Sequence, residues 1–267
     1  MSPQPAPGTD LSRAVCVLHY GRCGSTVLTR LLVQYGCLSL GEVLHPVSGK
    51  KNEPLDGLPR ERGAANSSAA VLDAAAKIVA TNEDRIGRVL FEIKSLDFIR
   101  EAIGDGPESF IPLMAERGVT RCIHLERRDL LARLVSTTLA GRTGVYHRTD
   151  EAERPEPFEI EPARAVAEIG RQAAMRDRIR AALAVSGLDV LQLEYERDLM
   201  ADPREGALKA AAWLGRPAPS QGPVVDRRRT TPFPIAEVLS NHDEVVAALA
   251  RAGMSETGAR LDPTAAP

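Results

Sequence analysis

The stretch AVCVLHYGRCGSTVLTRLL, Ala14 to Leu32, passes from one periodicity to another within nineteen residues. Ala14 to Tyr20 is a short, nearly continuous apolar run, the pattern of a strand buried on both faces of a parallel sheet. The glycine-bearing turn GRCGST follows at once. From Ser25 the apolar residues Val27, Leu28, Leu31, Leu32 and Tyr35 recur at helical spacing, and Gly36 offers a left-handed stop. The stretch is a strand-loop-helix unit.

Further along, Val89 to Lys94, Arg121 to Glu126 and Leu188 to Leu193 read as strands, and Ser95 is placed to cap a short helix. Helices are expected over 68–80, from Asp129 as N-cap to Gly141, over 162–186 with Gly187 as its stop, and from Asp202-Pro203 through Trp213. The NHDE segment, Asn241 to Glu244, looks like a capping-box start for a last helix. Segments 46–67 and 142–160 carry charge, Pro and Gly without an apolar period and read as mobile loops, the first of lid length. Alternating strands and helices give an α/β fold: one parallel sheet with helices on both faces, as a single domain over 14–253 between flexible ends at 1–13 and 254–267.

The composition narrows the function. With 43% hydrophobic residues in 267, the chain buries a sizeable core, and a formal charge of -2 supplies no global field for DNA or RNA. Cys16, Cys23, Cys37 and Cys122 form no CxxC pair and read as free thiols in a reducing cytoplasm. No apolar run has membrane-spanning length, and MSPQPAPGTD is unlike a signal peptide. There is no HExxH, paired-cysteine or carboxylate-cluster pattern, so no metal is expected.

A glycine-bearing turn between a buried strand and a helix gathers backbone N–H groups at the positive end of the helix dipole, a ready anion site. The ATP or GTP loop GxxxxGK[ST] is the nearest comparison, and it fails twice. His19 stands where its first Gly is required, and Ser25 stands where its Lys should follow Gly24. A cation is present instead as Arg22, within the turn.

The stretch resembles the 5'-phosphosulfate loop of sulfotransferases that use 3'-phosphoadenosine 5'-phosphosulfate (PAPS), with Arg22, Cys23, Gly24, Ser25 and Thr26 matching basic, small, Gly, Ser or Thr, and Thr. IHLERRDLLARLVS is similar to that family's 3'-phosphate motif, supplying Arg128 at a strand end and Ser136 eight residues on. Arg has the planar fork that phosphate favours. LEYERDLMADP and DRRRTTPFPIAEVLSNHDEV resemble later family segments, the second bringing Arg228 and Arg229 toward the nucleotide. The resemblance implies a P-loop-like fold, PAPS as donor, adenosine 3',5'-bisphosphate (PAP) as product, and a carbohydrate or glycosylated small molecule as acceptor.

Sulfuryl transfer to a hydroxyl calls for a base. The resemblance points to Glu42, shortly after the first helix, with His45 as the alternative on the same loop. Lys94 is a candidate contact to acceptor or sulfate, and His147 a candidate lining of the acceptor pocket. His19 and His124 are expected to be packed or hydrogen-bonded in strands. Two other readings stay open: a nucleotide kinase using the same loop, and a catalytically silent nucleotide-binding protein.

Overall fold

Among the described residues five strands form one all-parallel sheet: β1 (Ala14–His19), β2 (Leu38–Glu42), β3 (Val89–Lys94), β4 (Arg121–Glu126) and β5 (Asp189–Glu194), in the order β2-β3-β1-β4-β5. The computed structural model describes residues 10–42, 66–81, 88–99, 103–147, 150, 154–227 and 231–259. They divide into two compact units, one within Met1–Glu126 and Asp177–Val224, the other within Arg127–Arg176 and Val225–Pro267. The expected loop 46–67 lies, except for its last two residues, outside the described residues. No described helix is long and apolar enough to cross a membrane.

The sheet belongs to the first unit. All six residues of β1 are buried, as a strand covered on both faces requires. Val15 and Val17 join Leu90, Ile123, Leu125 and Leu193 on one face, packed with α1 (Ser25–Gln34) and, late in the chain, the helix Pro203–Trp213. The other connections, through α2 (Ser68–Thr81), α3 (Ser95–Ile99) and α4 (Pro107–Glu116), run the opposite way along the sheet, so right-handed crossovers place them on the second face. Helices thus flank both faces.

The second unit is helical. It holds α5 (Leu130–Thr143), the part of α6 (Pro162–Val185) up to Arg176, α8 (Ile235–Val238) and α9 (His242–Arg251), while α7 is the Pro203–Trp213 helix of the first unit. Leu131, Leu134, Val135 and Leu139 of α5 bury against Ile169, Val238, Val245 and Leu249.

Caps decide several boundaries. Asp129 accepts the Ala132 N–H at 2.7 Å and Asp202 the Arg204 N–H at 3.0 Å, as expected. Three expectations are corrected. Helix α5 runs past Gly141 and ends at Gly144, whose φ is 69°; an interior glycine costs only about 1 kcal/mol, and the left-handed stop is supplied by Gly144 instead. Ser95 does not cap α3: it is already the first helical residue, and the Asp97 carboxylate reaches back to the Lys94 N–H at 2.8 Å. Asn241 does not cap α9 with its side chain, which instead accepts the Ile160 N–H at 3.2 Å and donates to the Ile160 carbonyl at 2.9 Å.

Between β5 and α7 the chain makes a π-helical turn, Tyr195–Leu199, that packs on α7 at Gly206. A Cβ there would lie 2.5 Å from Leu199 Cδ2 and 2.6 Å from the Asp198 carbonyl oxygen. Helix propensity alone would favour alanine by about 1 kcal/mol. The clash reverses the sign: Gly206→Ala is expected to destabilise the protein by about 1–3 kcal/mol in urea unfolding, and a gain in stability would show that the π turn yields freely.

Candidate functional site

Strand β1 sits between β3 and β4, and the chain leaves it toward one edge of the sheet and later crosses it toward the other. In open parallel sheets the crevice at the carboxyl end of such a switch point is where ligands bind. The turn Tyr20 to Gly24 occupies that position. Its backbone enters the left-handed region at Gly21 (φ 67°), Arg22 (φ 54°) and Gly24 (φ 82°). For Arg22 this costs about 1–2 kcal/mol, a strain the surrounding contacts must hold. Gly24 is further confined because a Cβ would lie 3.2 Å from Tyr195 and from Leu199.

Gly24 is also the N-cap of α1, and no side chain caps that helix. Its first-turn N–H groups have no intrahelical acceptors and point with the helix dipole toward the turn. Ser25 is buried and Thr26 half-buried beside them, and Arg22 is half-buried. The Cys23 side chain, in contrast, lies wholly in the core with Leu28 and Leu32, so Cys23 offers a ligand only its backbone.

A polar group lies along the same edge of the sheet. The β2–β3 register shifts by one residue between Ser39 and Glu42, so that Glu42 pairs with Glu92. Without the extra residue Glu42 would oppose Ile93 and face the other side of the sheet; Gly41, with φ 69°, accommodates the bulge. Lys94 then meets Glu42 in an ion pair at 2.5 Å. These two expected site residues are brought together, and Lys94 is first of all the counter-ion of Glu42.

His19 and Glu92 complete the group. His19 is fully buried, its Nε2 is 3.4 Å from Glu92 Oε2, and the Gly21 N–H donates to its Nδ1 at 3.0 Å. One ligand atom from each of His19, Glu42 and Glu92 lies within 4.8 Å of the others, a donor set that could be imagined around a cation. The Gly21 N–H argues otherwise. It occupies the Nδ1 lone pair, so the ring's proton sits on Nε2 and faces the carboxylates, leaving Nε2 no lone pair for a metal. Burial disfavours a charged ring, whereas Cys23 and Glu92 favour one and raise its pKa. A second proton would have to displace the Gly21 N–H, and we therefore take the ring as neutral.

The second unit holds the other expected residues. Arg128 is exposed just before the Asp129 cap, Ser136 is buried on α5 where it accepts from the Thr231 hydroxyl at 3.4 Å, and His147 is exposed beyond Gly144. His45, Arg228 and Arg229 lie outside the described residues.

His19, Glu92 and Tyr195 are site residues that the sequence reading did not select. The apolar character of β1 and β3 hides the first two, since a polar residue in a buried strand shows its purpose only when the neighbouring strand is known. His124 is likewise buried on β4, but on the second face, where Gln192 meets its Nδ1 at 2.8 Å. Arg180 grips Glu126 there through both carboxylate oxygens. That cluster is a structural clasp between β4, β5 and α6.

In sequence the chain matches no model of a known protein family, and no curated protein matches it. The site therefore rests on its own chemistry.

Burial pushes the Asp97 carboxyl above the ordinary aspartate range, although the Lys94 N–H and the Lys94 charge oppose this. The folded state then holds the Asp97 proton more tightly than the unfolded chain does. Its contribution to stability is full below the unfolded pKa and is lost as pH rises through the folded value. Asp97→Asn removes this slope. The variant is expected to gain stability relative to wild type as pH rises above about 4 in urea unfolding, and a difference that stays constant with pH would refute the assignment.

Proposed function

We propose that the protein is a PAPS-dependent sulfotransferase acting on a hydroxyl of a carbohydrate or glycosylated small molecule. The observation that carries the reading is the turn at the carboxyl end of β1, where Arg22 and an uncapped helix N-terminus converge with Glu42 on the same edge of the sheet. The loop suits a phosphosulfate, because its amides and a fixed cation meet a dianionic leaving group without a lysine at the ATP-loop position.

In the proposed reaction the acceptor oxygen attacks sulfur as the bond from sulfur to the bridging phosphate oxygen breaks, and PAP leaves. Glu42 takes the hydroxyl proton, with Lys94 as its counter-ion. Arg22 and the amides of Gly24, Ser25 and Thr26 meet the charge that develops on the departing phosphate. Arg128 and Ser136 are assigned to the 3'-phosphate by the resemblance. The four described cysteines are buried free thiols, which suits the reducing cytoplasm we propose for the enzyme.

Thermal-shift titration tests the donor. PAP at about a hundred times its dissociation constant should add roughly 2.7 kcal/mol to stability, without magnesium. A magnesium-dependent shift with ATP or GTP and none with PAP would assign the loop to phosphoryl transfer, and PAP binding without turnover over a broad acceptor panel would make the protein a silent nucleotide binder.

Arg22→Ala separates catalysis from binding. It is expected to lower kcat by about a hundredfold or more, in the range of losing one transition-state donor, with a much smaller loss of PAP affinity. Equal losses would leave Arg22 a binding residue only.

A further inference from the structure

We propose that His19 and Glu92 act together as a positioning dyad that sets the shape of the anion loop. The inference rests on the donor reading above and adds to it residues that touch neither donor nor acceptor. His19 is the last residue of β1 and Glu92 lies on β3, on the same face of the sheet. Both are buried, His19 completely, so water does not compete for their polar atoms.

A neutral imidazole has one donor and one acceptor, and which nitrogen carries the proton is decided by its partners. Glu92 beside Nε2, at 3.4 Å, favours the tautomer with the proton on that atom. The lone pair left on Nδ1 receives the Gly21 N–H at 3.0 Å. Cys23 Sγ lies 3.9 Å from the same nitrogen, so the turn folds around one edge of the ring. Gly21 and Arg22 are the two consecutive left-handed residues, and their conformation aims the Arg22 side chain and the amides that follow. Anchoring Gly21 fixes the entry to that strained pair. Without Glu92 the ring is free to carry its proton on Nδ1, where it would confront the Gly21 N–H and open the turn.

The tautomer is read directly by 15N NMR of the histidine-labelled full-length protein, with His19 assigned by its loss in His19→Asn. The expected result is a protonated Nε2 and an unprotonated Nδ1 in wild type, and a shift of the proton toward Nδ1 in Glu92→Leu. The functional arm measures PAP affinity and kcat in four variants. His19→Leu and Glu92→Leu should weaken PAP binding by about tenfold, the effect of one buried hydrogen bond. His19→Asn, whose side-chain oxygen can accept near the Nδ1 position, and Glu92→Gln, which keeps an acceptor for Nε2–H, should recover most of that loss even if they melt lower than wild type. Recovery of affinity without recovery of melting temperature marks positioning and not general stability.

Wild type with Nδ1 protonated, or with both nitrogens protonated, overturns the dyad. So does unchanged PAP affinity in His19→Leu and Glu92→Leu. If wild type binds no PAP, the donor reading fails by itself, and the response of the His19 tautomer to Glu92→Leu still decides whether the dyad exists.

Discussion

Strand β1 has hydrogen-bonded neighbours on both edges and buried side chains on both faces. Nothing polar can leave it sideways, so the chain emerges only at the carboxyl end, in a turn too short to relax. Within five residues the backbone must reverse from an extended strand into α1, and it does so through left-handed conformations at Gly21, Arg22 and Gly24. Amides that would be wasted in a longer connection are thereby concentrated at one point. The proposed anion site follows from how tightly the central strand is held.

The same reasoning explains where the polar side chains lie. A parallel sheet buried on both faces tolerates charge best near the ends of its strands, where water can approach: Arg121 and Asp189 pair at the amino edge, and a second charged group sits at the carboxyl edge. Glu42 and Lys94 lie there, each about a quarter exposed, whereas His19 and Glu92 lie one layer deeper. The outer pair is open to solvent, as the proposed reaction requires; the inner pair is too deep for that, and His19 faces the backbone of the turn. The one-residue bulge at Gly41 makes this arrangement possible, because in regular pairing Glu42 would project from the opposite face.

What could be read in the sequence was local. β1, α1, β3, β4, α6 and α7 follow from runs of apolar residues and from caps such as Asp202, and each such signal lies within a few residues of the boundary it sets. Strand β2 was missed because LSLGE is short and contains a glycine, and α4 because Pro112 lies inside it and reads as a breaker. The loop residues Arg22 to Thr26 stood out as a candidate site, and Glu42 and Lys94 were each singled out, but not as a pair. Their meeting depends on strand order, on register and on a bulge, none of which leaves a mark in the spacing of residues along the chain. His19 and Glu92 lay deeper still in that blind region: seventy-odd residues separate them, and each stands alone in an apolar strand.

Histidine also illustrates how position outranks identity. His19 and His124 both lie fully buried in neighbouring strands, each near a glutamate. They project from opposite faces, since Leu125 and not His124 is the partner of His19 in register. His124 is held by Gln192 and Glu126 within a clasp that Arg180 closes, and burial lowers its pKa. Its polar contacts, Gln192 and Glu126, belong to regular strands, so they stabilise elements that are already rigid, and toward the turn it offers only a ring contact to Tyr20. His19 instead spends its second nitrogen on the first amide of a strained turn. The same side chain, with the same kind of carboxylate beside it, is a brace in one place and a determinant of loop geometry in the other, because only at the end of β1 is there a backbone whose conformation is still undecided.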